Sequence, residues 1–180
     1  MKLLVFSDSH SSTRNLIKAL SDHPDAEVIF HLGDGVADIR SLPELTANKA
    51  VFTVNGNFED FFTPDAEKSR YEIVQFAGKK FYLCHGHRHL SSYSLGDPLS
   101  PIINQAASKG CDFALFGHTH CKLDRYIPPE ELPADTGKGL YLFNPGSISR
   151  PRDSSYPSYG IIEIRGDSVL TSHALIGAKE

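Results

Sequence analysis

Short apolar runs and segments of helical periodicity alternate along the first half of the chain. The apolar runs predict buried strands at residues 2–6, 27–31 and 50–54. Between them, residues 13–20 and 36–42 have helical spacing, and Ser12 or Thr13 is placed to cap the first helix. Strands that alternate with helices in this order are typical of a sheet with parallel strands.

The second half of the chain predicts more strands than helices. Residues 71–76 and 80–84 have the pattern of a β-hairpin joined by a glycine-containing turn at residues 77–79. One helix is predicted at residues 102–108. Further strands are predicted at residues 112–116, 122–126, 139–143, 159–164 and 168–175.

The loops between these strands do not divide the chain into domains. The segments 128–138 and 149–158 are rich in turn-forming residues, but no repeat, low-complexity tract or composition break marks a linker. A chain of 180 residues can bury a substantial core. We therefore expect one domain, residues 1–180.

Charge and composition restrict the partners that we expect. The formal net charge is −4 and the sequence pI is about 6.1, so no basic surplus favours nonspecific nucleic-acid binding. Nucleic acid is therefore expected at most as a small substrate. No apolar run has the length of a signal peptide or a transmembrane helix, which predicts a cytoplasmic protein without a membrane partner. Formation of a homo-oligomer is left open.

The three cysteines, Cys84, Cys111 and Cys121, do not indicate a disulfide framework. Their number is odd and no Cys-x-x-Cys occurs, so reduced thiols are expected. Cys84 and Cys121 each adjoin a histidine, which leaves a thiolate metal ligand as an alternative to a small buried hydrophobe.

Residues of metal-binding type directly follow five of the predicted strands. They are Asp8, His10, Asp34, Asn57, His85, His118 and His120. In open α/β sheets, ligands lie outside the carboxyl ends of the strands, so these seven side chains are expected to gather at one edge. Each alone has an ordinary alternative, such as a turn former, a helix cap or a surface histidine. Their joint occurrence at successive strand ends favours a metal site.

The types of donor atom favour two ions rather than one. Carboxylate, imidazole and amide ligands suit Mn²⁺, Zn²⁺, Fe or Ni²⁺ better than Mg²⁺ alone. Seven ligands suit a pair of ions about 3.5–4 Å apart that share one carboxylate and a bridging hydroxide. In an extended segment, His118 and His120 would point to the same side and converge. A single structural zinc fits poorly, because such sites favour cysteine.

Five motifs occur in order along the chain: Asp8-Ser9-His10, Gly33-Asp34, Gly56-Asn57, His85-Gly86-His87 and Gly117-His118-Thr119-His120. Together they resemble the blocks of the calcineurin-like metallophosphoesterases. The short length, the tract Asn144-Pro145-Gly146-Ser147 and an altered third block resemble the small YfcE-type phosphodiesterase subgroup. The resemblance implies an α/β fold, a four-layer α-β-β-α sandwich of two mixed β-sheets flanked by helices.

The resemblance also implies roles for the seven residues. Asp8, His10 and His120 would hold one ion, Asn57, His85 and His118 would hold the second, and Asp34 would bridge them. The implied reaction is hydrolysis of a small phosphodiester by in-line attack of a metal-bridging hydroxide, with Mn²⁺ as the expected metal. Asp34, Asn57 and His120 are the implied catalytic residues. Thr119 would point away, and its identity is expected to matter little.

The third motif departs from the family pattern, because Phe58 stands where most members have a histidine. General-acid help is worth about 10²–10⁴-fold, so we expect weak turnover or a bias towards esters whose leaving group needs little protonation. His87 or His89 could substitute if their loop folds inward. The alternative function is a non-catalytic metal-binding scaffold of the same fold, like the retromer subunit.

Several segments outside the motifs could shape the substrate pocket. The candidates are residues 88–101 and 128–138. The tract at residues 144–147 is expected to form a tight turn near the site, either as a purely structural turn or as part of it. Arg150 and Arg152 are expected to be exposed and solvated, with contact to a substrate phosphate as the alternative.

Overall fold

The computed structural model describes residues 1–62, 71–90, 97–133 and 137–177. Within these ranges the strands are β1 Lys2–Phe6, β2 Val28–His31, β3 Ala50–Thr53, β4 Glu72–Phe76, β5 Lys79–Leu83, β6 Phe113–Leu115, β7 Lys122–Ile127, β8 Leu140–Pro145, β9 Ser158–Arg165 and β10 Ser168–Leu175. The α-helices are α1 Arg14–Asp22, α2 Val36–Arg40, α3 Pro43–Thr46, α4 Asn57–Phe62 and α5 Ser100–Ser108. None of these helices combines the length and apolar character needed to span a bilayer.

The strands form two mixed sheets of five strands each. The first has the order β10-β9-β1-β2-β3, in which β1, β2 and β3 are parallel and β9 runs antiparallel to both of its neighbours, β1 and β10. The second has the order β4-β5-β6-β8-β7, in which β5, β6 and β8 are parallel and β4 and β7 are antiparallel. The predicted hairpin is present as β4 and β5.

Alternating side chains of β1 show how the layers pack. Leu3 and Val5 belong to a core that includes Phe81 of the second sheet, so the two sheets pack face to face. Leu4 and Phe6 point the other way, onto the apolar face of α1. All four β1 side chains are fully buried, and each burial stabilises the fold by about 1.5–3 kcal/mol.

A third core covers the outer face of the second sheet. Tyr82 and Cys84 pack there with Ile102 and Ala106 of α5. Helices therefore flank both outer faces of the paired sheets, and the expected four-layer α-β-β-α architecture is confirmed.

Two helical segments were not predicted. Pro43 begins the short helix α3, because proline is tolerated in the first helical turn. Residues 57–62 form α4 directly after Gly56.

A 3₁₀ turn, Pro129–Glu131, lies in the predicted loop 128–138. Residues 91–96 and 134–136, within the two segments suggested to shape the pocket, lie outside the described residues.

Candidate metal centre

The seven residues singled out in the sequence lie at one edge of the sandwich, on loops that follow β1, β2, β3, β5 and β6. Asp8, His10 and His120 form a first cluster, the His10 group. The Nε2 atoms of His10 and His120 lie 3.1 Å apart. Asp8 Oδ1 is 3.9 Å from His10 Nε2 and 3.3 Å from His120 Nε2. This spacing brings one carboxylate and two imidazoles within reach of a single ion.

Asp8, Asp34 and His85 form a second cluster, the His85 group. His85 Nε2 lies 3.6 Å from Asp34 Oδ2 and 3.9 Å from Asp8 Oδ1. Asn57 Oδ1 adjoins this group, 3.2 Å from His85 Nε2 and 3.0 Å from His118 Nδ1. The two groups share Asp8, so they form one continuous polar cluster.

Each aspartate has one oxygen fixed by a backbone N–H and the other directed at imidazoles. The His118 N–H donates to Asp8 Oδ2 at 3.1 Å, and the Phe58 N–H donates to Asp34 Oδ1 at 2.7 Å. Asp34 Oδ2 lies 3.9 Å from His10 Nε2 and 3.6 Å from His85 Nε2, between the two groups. Both carboxylates are therefore placed to reach both groups.

Asp8 Oδ1 shows that the residues fit a cation. The Asp8 side chain is fully buried, and this oxygen has no hydrogen-bond partner in the part of the chain that the structure describes. Buried polar atoms are nearly always paired, so an unpaired carboxylate oxygen within 3.9 Å of three imidazole nitrogens calls for a positive charge. Imidazole and carboxylate together suit a divalent transition metal.

Two of the histidines have their tautomers set by backbone carbonyls. His85 Nδ1 lies 2.6 Å from Leu32 O, and His120 Nδ1 lies 2.6 Å from Arg150 O. A carbonyl oxygen only accepts, so Nδ1 carries the proton in both rings. Nε2 then presents its lone pair to the cluster, as in metal-ligating histidines.

The loop backbone explains why His118 and His120 diverge. Their φ angles are 67° and 59°, in the left-handed region, so the segment is not extended. The expectation that both rings converge on one point from an extended segment is wrong. His120 lies in the His10 group, whereas His118 lies beside Asn57 and the His85 group.

Residues 1–167 match the calcineurin-like phosphoesterase superfamily domain. The chain belongs to this superfamily. It is 28% identical over 176 residues to a protein of Mycoplasma genitalium named as a probable metallophosphoesterase, covering 96% of this chain and 94% of that one.

Two solved structures share the fold. One is described as a novel archaeal phosphodiesterase, with TM-score 0.65 and 20% identity, covering 97% of this chain and all of that one. The other is Vps29 of Entamoeba histolytica complexed with Zn²⁺, with TM-score 0.66 and 20% identity, covering 97% of this chain and 99% of that one.

In this phosphoesterase domain, Glu59 fixes two of the site loops to each other. Its carboxylate accepts the backbone N–H groups of Asp34, Gly35, Val36 and Gly56 at 2.7–3.0 Å. Burial opposes ionisation of Glu59, but these four bonds outweigh it and lower its pKa. The sequence analysis did not single out Glu59. The spacing of Gly56 and Glu59, which is that of a capping box without the hydroxyl, could have indicated it.

The protonation states of Asp34 and His118 suit cation binding. Burial alone would raise the pKa of Asp34, but the nearby His85 and the Phe58 N–H bring it down to about 2. Burial and the neighbouring His85 lower the pKa of His118 to about 4. Near neutral pH the carboxylate is therefore charged and this imidazole is neutral, which are the ligand forms that metals require.

The tract at residues 144–147 supports two site loops and is more than a local turn. Ser147 Oγ and Ser149 Oγ each donate to Asp8 O at 2.8 Å. Asn144 Nδ2 donates to Gly117 O at 3.0 Å and to Thr119 Oγ1 at 3.1 Å. The Thr119 hydroxyl takes part in this support, although its identity was expected to matter little.

The two histidines considered as substitutes for the missing one differ in position. The His87 ring centroid lies 5.3 Å from that of His85, and His87 Nε2 is 3.1 Å from Asp60 Oδ2. His89 Nε2 instead lies 3.1 Å from the hydroxyl of Tyr82, which packs among the apolar residues around α5. Only His87 of the pair borders the candidate metal centre.

Arg150 and Arg152 contact His120 through their backbone atoms. The Arg152 N–H donates to His120 O at 3.0 Å, and the Arg150 and Arg152 side chains are exposed, as expected.

Cys84 is buried, and Cys121 Sγ lies 3.4 Å from Thr119 O. Among the described residues, no cysteine belongs to the His10 or His85 group, which gives no support to a thiolate ligand.

The buried His31 makes the fold sensitive to acid. Its Nδ1 accepts the Gly33 N–H at 3.4 Å, so Nε2 carries the proton towards Ser9 Oγ at 3.3 Å. Ser9 in turn donates to Asp38 Oδ2 at 2.5 Å. This chain of contacts fixes the His31 ring beneath the loop that carries Asp8 and His10.

Burial lowers the pKa of His31 from 6.5 to about 4, with Glu59, Asp8 and Asp38 opposing the shift and His85 adding to it. The folded state binds this proton less readily than the unfolded state, so stability is lost as pH falls below 6.5. We expect His31 to account for a loss of about 2–3 kcal/mol between pH 7.5 and 4.5.

Urea unfolding of wild type and His31→Gln in EDTA at both pH values measures this contribution. The groups that surround His31 titrate in both proteins, so the difference between the two pH dependences isolates His31. Wild type should lose about 2–3 kcal/mol more than the variant. Equal losses in the two proteins would contradict the prediction.

Proposed function

We propose that this protein is a phosphodiesterase that uses two divalent metal ions at the His10 and His85 groups. The observation that carries the proposal is Asp8 Oδ1, a buried, unpaired carboxylate oxygen surrounded by three imidazole nitrogens. The superfamily membership supports phosphoester hydrolysis, and the name of the archaeal neighbour supports diesters as substrates. We further propose one domain over residues 1–180, located in the cytoplasm.

The ligand assignment is the one that the resemblance to the family implies. Asp8, His10 and His120 would hold one ion, and Asn57, His85 and His118 the other, with Asp34 between them. Mn²⁺ is the proposed metal, and Zn²⁺, Fe and Ni²⁺ are alternatives for a site that mixes imidazole and carboxylate donors. When bound, such a pair polarises phosphoryl oxygens and supplies hydroxide near neutral pH for in-line attack on phosphorus.

The residues of the chain prepare the site for this chemistry. Asp8 and Asp34 concentrate negative charge that attracts cations, and Leu32 O and Arg150 O orient the rings of His85 and His120. Phe58 offers no proton to the departing ester oxygen, so the leaving group must depart as an anion or take its proton from water or from His87, which borders the centre. We therefore propose a preference for diesters with acidic leaving groups, such as p-nitrophenol.

Hydrolysis of bis-p-nitrophenyl phosphate tests the proposal. With Mn²⁺ we expect turnover that a chelator reduces by at least about 100-fold, because the metal supplies several kcal/mol of transition-state stabilisation. His118→Ala should reduce turnover by about 100-fold, since it removes an imidazole beside Asn57 and the His85 group. Parallel assays with Zn²⁺, Fe²⁺ and Ni²⁺ rank the metals.

His23→Ala is the matched control, because His23 contacts the hydroxyl of Tyr159 on the first sheet and not the candidate metal centre. It should retain wild-type turnover. Metal-independent hydrolysis, or full activity in His118→Ala, would overturn the proposed mechanism.

A metal-binding scaffold is the second candidate function. It is favoured by Phe58 and by the likeness of the fold to Vps29 complexed with Zn²⁺. Mn²⁺ binding without hydrolysis across phosphodiesters, phosphomonoesters and cyclic nucleotides would select the scaffold over the enzyme.

A further inference from the structure

Helix α4 turns polar side chains towards the protein and aromatic side chains towards solvent. Glu59 accepts N–H groups from two site loops, and Asp60 pairs with Arg88. Three aromatic side chains are exposed instead: Phe58 at 41%, Phe61 at 79% and Phe62 at 65%. A surface helix normally has the opposite arrangement, and an exposed apolar patch of this kind marks a binding site.

The three rings form one continuous surface, which we call the aromatic shelf (Phe58, Phe61 and Phe62). Their positions, i, i+3 and i+4, lie on the same face of a helix. The ring centroids of Phe58 and Phe62 are 5.0 Å apart, and those of Phe61 and Phe62 are 5.2 Å apart. Both pairs are edge-to-face, so ring faces remain available for contact.

The aromatic shelf begins at the candidate metal centre. The Phe58 N–H holds Asp34 Oδ1 at 2.7 Å, and the Phe58 ring centroid lies 6.4 Å from that of His10. A phosphoryl group bound beside Asp34 and His10 would therefore place one of its ester groups next to Phe58. Phe61 and Phe62 extend the surface outward from that point.

We propose that the aromatic shelf binds a planar aromatic ester group of the substrate, either an aryl group or a nucleobase. This deepens the proposed phosphodiesterase function and rests on it. The exposed area of the three rings is on the order of 400 Å², about half of what one partner contributes to a stable protein interface. That area suits a small planar group better than a second protein surface.

Pairs of non-hydrolysable phosphonates test the proposal by calorimetry on the Mn²⁺-loaded protein. The first pair is phenylphosphonate and cyclohexylphosphonate, which share charge and approximate size but differ in planarity. The second pair is an adenine-bearing acyclic phosphonate and the same molecule without its base. We expect the aromatic member of at least one pair to bind about tenfold more tightly, and the pair concerned distinguishes aryl from nucleobase.

The double variant Phe61→Ala/Phe62→Ala keeps only Phe58 of the shelf, so it should weaken this preference while leaving Mn²⁺ affinity unchanged. Tyr126→Ala is the matched control, because Tyr126 is an aromatic side chain on β7 with 52% exposure. It should retain the full preference. Sedimentation of wild type and the double variant shows whether the aromatic shelf instead joins two copies of the chain.

Equal affinities within both pairs, or a preference that is undiminished in the double variant, would overturn the proposal. A wild-type dimer that dissociates in the double variant would overturn it in favour of a second copy as the occupant. If Mn²⁺ and both phosphonate pairs fail to bind, the proposed function fails as well. If Mn²⁺ and the phosphonates bind without any aromatic preference, only the aromatic shelf proposal fails.

Discussion

Asp8→Asn is expected to reduce Mn²⁺-dependent phosphodiester hydrolysis by at least about 10³-fold, because several kcal/mol of transition-state stabilisation depend on the bound metal. Asp8 is the residue that the His10 and His85 groups share, so its loss weakens both. The metal-free fold should change by less than about 2 kcal/mol, because asparagine has nearly the same shape. Its Oδ1 can still accept the His118 N–H that Asp8 Oδ2 accepts.

Thermal unfolding separates these two effects. At free Mn²⁺ about 100 times the dissociation constant, wild type should gain about 2.7 kcal/mol, equivalent to a Tm rise of about 5–10 °C. Asp8→Asn should show a rise below about 2 °C while unfolding near the wild-type temperature in EDTA. Asp22→Asn is the control, since Asp22 is an exposed carboxylate paired with Lys18 on α1.

Two outcomes would contradict the central role of Asp8. One is a variant that keeps Mn²⁺-dependent turnover within tenfold of wild type. The other is a variant that unfolds in EDTA far below wild type, since the lost activity would then reflect a damaged fold.

The sequence predicts the strands well because a buried strand is a continuous run of apolar residues. Residues 2–6 read as a strand from their apolar run alone, and β1 spans Lys2–Phe6. The gathering of polar residues at one edge also follows from local pattern, because parallel strands place their carboxyl ends together. Phe58 is visible as a departure only through comparison with the family motif.

Other features of the site depend on contacts between residues that are far apart in sequence, which a local sequence pattern does not reveal. The left-handed backbone at His118 and His120 reverses the prediction that their rings converge. It is stabilised by distant groups, such as the bond from His118 N to Asp8 Oδ2, 110 residues away in sequence. Asn57 reads from sequence as a candidate ligand, a turn former or a helix cap, and only the fold shows that α4 begins at this residue.

Glu59→Gln is the second substitution for which we expect a large effect, a loss of about 2–4 kcal/mol of stability. Glu59 Oε1 accepts two N–H groups and Oε2 accepts two more. Glutamine replaces one oxygen with an NH₂ group. Two of the backbone N–H groups then lose their acceptor and face the N–H donors of the amide instead. Glu59→Ala leaves all four N–H groups without this acceptor and should cost about 3–5 kcal/mol.

The position of Glu59 predicts an additional loss of metal affinity. Its bonds join the Gly33-Asp34 loop to Gly56, the residue before Asn57, so the variant loosens Asp34 relative to Asn57. Residues that orient metal ligands are worth about 10–100-fold in affinity, so Mn²⁺ should bind Glu59→Gln at least about tenfold more weakly.

Urea unfolding in EDTA and Mn²⁺ titration by calorimetry measure the two effects separately. Glu44→Gln is the matched control, because Glu44 is an exposed glutamate in the first turn of α3. If Glu59→Gln matched Glu44→Gln in both measurements, the four bonds to Glu59 would not hold the site together. A stability loss without a change in Mn²⁺ affinity would show that Glu59 supports the fold but does not position Asp34 and Asn57 for the metal.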